Sequence, residues 1–463
     1  MKVNNSSSKY SMITTVVFLV LSSSTFTQVD PGFFPDFMPY QANPVIRYGD
    51  GFADAAWNDP CILKEDDQYI MYITAADGFV LSEENTVKVF RQVSMDGYEW
   101  TLSPITPVLE AASGTYYAGG TETPSVVKKD GIYHMYLTCY PPGNSPSEFV
   151  IGHATSLDGL SFSMDDQPVL ESDGSATMYG ELVGEPAAVV FNDSIFVFFT
   201  AGGIVSEVPV NSIGLMKSSD GVNFNDAQIA VTLPEDVYPS SEEYWGLSTP
   251  SALAIHDSLY LFTDVAQMID GNWTQVALHQ FKTFGSTGIW YHDDAPIHTR
   301  ADFDWTNGDY LAEIRSITPY LEEDGLLRIW YAGNNLASIS GTDTTYNIFF
   351  DQQGGMHVDP DYWGIGTSEY QFPMVSGMKE TGVDQLHLSI YPNPANDMLV
   401  VYTGTGINGY DYKIYDMTGR SYPVRYEAMG DKVRIDLSML SSGIYSLSMN
   451  KGTEVINSKF VVK

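Results

Sequence analysis

The chain has 463 residues, 44% of them hydrophobic and 13% aromatic, with 22 basic against 58 acidic side chains and a formal net charge of -36. This apolar content is enough for cores in two or three domains and excludes a disordered chain. The charge excludes nucleic acid and anionic membrane surfaces as partners, because both would be repelled.

The first residues set Lys2 and Lys9 before the apolar run MITTVVFLVL and the small polar SSSTFTQ. This is the layout of a cleaved secretory leader, and residues 1–27 are set apart from the fold. No later stretch approaches the roughly 20 apolar residues of a membrane helix. Two cysteines occur, Cys61 and Cys139. One possible bridge makes no disulfide framework, so two buried free thiols are expected, with pairing left open.

A repeat begins at Trp57 with WNDPCILKEDDQYIMYIT. It returns as ETPSVVKKDGIYHMYLT from Glu122, EPAAVVFNDSIFVFFT from Glu185, STPSALAIHDSLYLFTD from Ser248 and ITPYLEEDGLLRIWYAG from Ile317. Each copy opens on a proline (60, 124, 186, 250, 319), runs through apolar residues, turns at a polar or glycine-containing tip and returns as an aromatic-rich strand. The pattern predicts a β-hairpin with proline at its first position, where a missing N–H costs least.

The prolines are 64, 62, 64 and 69 residues apart. A second landmark, SMDGYEW at Ser94, SLDGLSF at Ser156 and SSDGVNF at Ser218, recurs every 62 residues. Asp-Gly there predicts a tight turn, with the aromatic three residues after the glycine packing the next strand. Five such units, each too small to bury both faces alone, predict an all-β, five-bladed β-propeller over residues 28–372. The first strand of each blade would line a central channel, so residues beside the five prolines should converge on one axis.

The grammar stops near residue 372, and residues 373–384 read as a linker. From Gln385 onward there are 7 acidic and 8 basic residues, so the negative charge belongs to the propeller. The alternating runs MLVVYT, DYKIYDM, KVRIDL, IYSLSM and SKFVVK predict a small antiparallel β-sandwich over 385–463. YPNPANDMLVV, IYDMTGR, IDLSMLSSGIYSLSM and the closing FVVK resemble, in order, the C-terminal sorting domain of the bacterial type IX secretion system. The resemblance implies export through the periplasm, then release or cell-surface attachment, with the secretion machinery as partner.

Three of the five inner openings carry an acid: Asp59, Glu122 and Glu185; the other two offer Thr249 and Thr318. Carboxylates gathered on one axis repel, which raises the pKa of the least solvated and leaves others ionised. Glycosidic hydrolysis needs such a pair, one acid for the leaving oxygen and one carboxylate to activate water or attack the anomeric carbon. A five-bladed propeller with these acids resembles glycoside hydrolase family 43 and the related family 32 and 68 clan, over residues about 45 to 370.

Carried over, the resemblance implies Asp59 as general base, Glu122 as the carboxylate that tunes the acid, and Glu185 as general acid, in an inverting reaction on a plant or algal polysaccharide or oligosaccharide. Blade two departs from the family in having Glu, and its Glu-Thr-Pro spacing is the family's spacing for the acid one blade later. Glu122 therefore stays open as donor, and Glu181 is a spare carboxylate. WNDP also resembles the opening of family 32, which implies a retaining reaction with Asp59 as nucleophile.

Each residue has a plainer reading as well: Asp59 as a turn cap, and Glu122 and Glu185 as solvated loop charges. Arg315 would bind a sugar hydroxyl, neutralise the acids, or form a surface ion pair. Trp57 and Trp245 are the rim aromatics expected to stack on sugar rings. No histidines have metal spacing, so no cofactor is expected, although the resemblance admits a structural calcium. A monomer is expected. The competing readings are a non-catalytic glycan-binding propeller and a sialidase, whose Asp-box turns hold a residue between Asp and Gly that SMDGYEW lacks.

Overall fold

The computed structural model describes residues 33–371 and 389–462 with interruptions, the longest at 78–86, 142–147, 175–179, 351–355, 359–363 and 403–409. The leader 1–27 and the linker 373–384 lie outside the described residues. Among those described, the chain is all-β, with two three-residue 3-10 turns, Ser240–Glu242 and Arg300–Asp302, as its helical elements. It divides into two compact units on either side of residues 374 and 375.

The first unit is propeller-like and built from five hairpins. Their inner strands are Ala55–Glu65, Gly120–Lys129, Leu182–Phe191, Tyr244–Ile255 and Glu313–Leu321. Each pairs antiparallel with the strand that follows it. The tips follow from residue choice. Asp66-Asp67, Asp130-Gly131 and Asn192-Asp193 all take positive φ, the two-residue turn whose twist matches the flanking strands. The fifth hairpin's second strand, Leu326–Asn334, pairs with Gly364–Gln371, and that strand takes the N-terminal Met38–Pro39 and Ile46–Arg47 on its other side. Segments from the two ends of the first unit's described residues thus meet in one sheet.

Five apolar clusters join consecutive hairpins. Tyr72 packs with Met135, Tyr136 with Val197, Phe198 with Leu261, and Phe262 with Ile329. Trp330 and Ile365 then pack on Trp57 and Phe90, which returns the fifth unit to the first. Hydrogen bonds repeat the pattern. Cys61 Sγ accepts from Val126 N–H at 3.2 Å, Ser125 Oγ from Ala188 N–H at 2.8 Å, and Thr318 Oγ1 from Ile62 N–H at 3.3 Å.

The Ser-Asp-Gly landmarks are the tight turns the sequence suggests. Ser94 Oγ accepts the Gly97 N–H at 2.8 Å, with Ser156 and Ser218 doing the same for Gly159 and Gly221. Gly97, Gly159 and Gly221 have φ of 80°, 70° and 83°, a backbone that glycine adopts without steric cost. Phe162 and Phe224, three residues on, pack into the clusters between hairpins.

The prolines do not open the strands, contrary to expectation. The first four lie inside their strands at a β-bulge, between Asn58 and Cys61, Glu122 and Ser125, Gly184 and Ala187, and Ser248 and Ser251. A bulged residue has already left the hydrogen-bond ladder, so proline there sacrifices no N–H bond. The fifth bulge falls between Arg315 and Thr318. Ile317, not Pro319, therefore stands at the proline position, and Ser316, not Thr318, stands beside it. Pro319 is paired with Ile329 two residues further along the strand.

In the second unit, strands Ser389–Tyr391, Met398–Tyr402, Lys432–Asp436 and Arg425–Met429 form one antiparallel sheet. Ser421–Tyr422, Asp411–Asp416, Gly443–Lys451 and Glu454–Val462 form another. Leu399, Val401 and Ile435 of the first share a buried core with Ile414, Leu447 and Phe460 of the second.

Thr318→Val keeps the shape of the side chain but orphans the buried Ile62 N–H. It is expected to destabilise the first unit by about 1–3 kcal/mol, read as a lower denaturant midpoint. An unchanged midpoint would contradict the closing role given to this bond.

Candidate active site

The residue that begins each bulge is left-handed: Asp59 (φ 54°), Thr123 (51°), Glu185 (49°), Thr249 (44°) and Ser316 (55°). None is glycine, and each such conformation costs of order 1 kcal/mol, the kind of strain that gathers at functional sites. All five line one narrow cavity of about 30 Å³, together with the bulge prolines and Ile317. The second strand of each of the first three hairpins holds the next bulge in place. Thr74, Thr138 and Thr200 use Oγ1 to accept the N–H of Thr123, Glu185 and Thr249 at 2.8, 2.7 and 2.9 Å.

Asp59 is 5% exposed, and its Oδ1 accepts from Ser316 Oγ at 2.6 Å. Burial holds its carboxyl above the usual range, partly offset by Arg315 and Ser316. Glu185 Oε2 accepts from Thr200 Oγ1 at 2.6 Å and from Thr249 N–H at 3.1 Å. Its Oε1 is 3.8 Å from Arg315 Nη2.

Glu122 is half-buried and occupies a different register. It is the last ladder residue before its bulge, the position held by Asn58, Gly184, Ser248 and Arg315 in the other hairpins. Burial, with the charges of Asp59 and Glu185 added, raises its carboxyl to about 8 despite Arg315. Glu122 and Arg315 are thus the acidic and basic versions of one repeat position. Glu181 is exposed and is not part of the cavity lining.

Of the readings of Arg315, neutralisation of the acids fits. Asp59, Glu313, Glu185 and Asp264 all raise its pKa, against a burial that lowers it. The sequence reading missed Asp264. It is fully buried, pairs across the hairpin with Ser248, and accepts through Oδ2 from Ser248 Oγ and Thr249 Oγ1, both at 3.2 Å. Burial keeps its carboxyl well above the ordinary range, and its Oδ1 has no hydrogen-bond partner among the described residues. A signal was present: the first three copies end on Thr74, Thr138 and Thr200, and the fourth puts Asp264 at that register.

Trp57 is not a sugar platform. It is fully buried, its Nε1 donates to Asp50 O at 2.9 Å, and its ring meets Phe90 edge-on, because the residue bridges the first and fifth sheets. Trp245 is half-buried and makes a T-shaped contact with Trp273 at 5.7 Å, outside the cavity lining. Cys61 and Cys139 are both free; Cys61 lines the cavity, with burial raising its thiol to about 11. No group of three or more His, Cys, Asp or Glu is disposed to hold a metal among the described residues.

Residues 389–463 match the family model of the secretion system C-terminal sorting domain. This tail directs the chain to secretion or cell-surface attachment by the type IX system. No described helix is long and apolar enough to cross a membrane. No curated protein matches the chain.

Solved structures it resembles include glycoside hydrolases. One carries the description that the GH130 family of mannoside phosphorylases contains glycoside hydrolases that target β-1,2 mannosidic linkages in Candida mannan. It is 13% identical, has a TM-score of 0.51, and covers 76% of this chain and 98% of its own. A glycosyl hydrolase from Bacteroides ovatus is 15% identical at TM-score 0.49, covering 73% and 94%. A thermostable family-43 glycoside hydrolase is 14% identical at 0.46, covering 66% and 93%. At these identities the first likeness establishes fold alone.

Glu122 generates a stability prediction. Its ordinary value is 4.5 and its folded value about 8, so between these the folded state binds the extra proton. Stability is therefore lost as pH rises through that window. Glu122→Gln should flatten this fall and gain on the parent protein toward pH 8 in denaturation curves taken from pH 5 to 9. Parallel curves for the two proteins would contradict the placement.

Proposed function

We propose that residues 28–372 form a five-bladed β-propeller that hydrolyses glycosidic bonds, delivered by a leader at 1–27 and a sorting domain at 385–463. The ring of inter-hairpin clusters, closed by Trp330 on Trp57, supports the blade count. The observation that carries the activity is chemical: two acids on separate bulges, Asp59 and Glu185, line one cavity beside an acid, Glu122, that keeps its proton near neutral pH.

Asp59 acts as general base. Burial strengthens its proton affinity, so it can take a proton from water as that water attacks the anomeric carbon. The leaving oxygen takes a proton from the paired acid, and the two carboxyls then exchange protons through solvent with inversion at the sugar. Of the two candidate donors, Glu122 holds its proton in the working range and has the Glu-Thr-Pro spacing of the family's acid. Glu185, tied to Thr200, Thr249 and Arg315, then orients the arginine and the sugar. The arrangement carried over from family 43, with Glu185 as donor, exchanges these two roles. The substrate is a neutral glycan, because a chain of net charge -36 repels polyuronates and sulfated chains.

The test is a glycan panel assayed for new reducing ends with the parent, Glu122→Gln and Glu185→Gln. Glu122→Gln is expected to lose about 10²- to 10⁴-fold on unactivated glycans and far less on a dinitrophenyl glycoside, whose leaving group needs no proton. That signature appearing in Glu185→Gln instead would exchange the roles. Binding by the parent without any hydrolysis would replace the enzyme with a lectin.

A further inference from the structure

A second cavity, of about 500 Å³, lies in the first unit. It is walled by the N-terminal segment around Ile46–Arg47 on one side and by strand Lys88–Ser94 and the SMDGYEW turn on the other. It shares no lining residue with the cavity of the acids. Its volume is in the range of pockets that hold small organic ligands.

Two features make it a built site. The first is a rigid aromatic platform. Tyr40, 36% exposed, stacks on Tyr98 with ring centroids 4.3 Å apart. Tyr98 is fixed by a hydrogen bond to Glu369 and by the Arg328 guanidinium 4.6 Å from its ring centre. The second is Gln92, which is 4% exposed and among the residues lining the cavity, and whose buried Nε2 has no hydrogen-bond partner among the described residues. A buried amide donor without an acceptor is costly unless something in the cavity supplies one.

An exposed tyrosine face beside a buried amide donor, with Arg47, Asp50 and Glu99 around them, suits a ligand with apolar ring faces and hydroxyl edges. One cation against two carboxylates, on a strongly acidic chain, disfavours an anionic ligand. From this geometry we infer that the cavity is an accessory binding site for a neutral polysaccharide, separate from the acids. It would hold the enzyme on a chain while the central cavity works on another stretch of it.

The experiment measures binding of the full chain to soluble arabinan, xylan and mannan, with polygalacturonate as the anionic arm, by affinity electrophoresis and calorimetry. The parent, Asp59→Asn, Tyr40→Ala and Gln92→Leu are compared. At least one neutral polysaccharide should bind the parent and Asp59→Asn alike, which keeps this site independent of any activity at the acids. Tyr40→Ala and Gln92→Leu should each weaken that binding by about fivefold or more. Gln92→Leu, nearly isosteric and free of the orphan donor, should keep or raise the thermal midpoint. Affinities within a factor of about two of the parent in both variants would overturn the inference. So would a preference for polygalacturonate, or no binding to any neutral chain.

Discussion

The first unit depends on one guanidinium set among carboxylates. Arg315 stands where Glu122 stands in another hairpin, within the field of Asp59, Glu185 and Asp264. Like charges brought together out of water are costly, and removing the one compensating cation leaves them uncompensated. The ring of hairpins can bring these acids together only because the arginine and the hydroxyl and backbone donors around them offset that cost. Ser316, Thr200, Thr249 and Ser248 supply those donors.

The backbone makes the gathering possible. A left-handed residue at each bulge, followed by a proline in four hairpins and by Ile317 in the fifth, sets five residues around one cavity, and the threonine of the preceding hairpin takes up the freed N–H at three of the five. Function and closure use adjacent positions on the same strand. Ser316 meets Asp59, and two residues later Thr318 bonds the N–H of Ile62. A change at either residue is felt in both the acid cluster and the seam between first and fifth hairpins.

Much of this was legible in the residues, for identifiable reasons. Hairpin tips and Ser-Asp-Gly turns are local chemistry, in which a side chain caps its own backbone, so Ser94, Ser156 and Ser218 read directly. The convergence of Asp59 and Glu185 on one cavity followed from the repeat. The fifth copy misled because proline marks a bulge without being required by it: Ile317 fills the bulge there, and Pro319 is an ordinary strand residue. Trp57 misled because position along the chain does not say which face of a strand is buried. Asp264 was overlooked because it lies on a second strand, where a single acid among threonines gains meaning only once the hairpins close.

The account turns on Arg315 sharing a field with the acids, and a carboxyl NMR titration of the parent and Arg315→Met tests this most directly. In the variant, Asp59 and Glu122 should both titrate at higher pH than in the parent, since the arginine charge that lowers both is gone. Identical titrations in a folded Arg315→Met protein would contradict the account, because the acids would then not share the arginine's field.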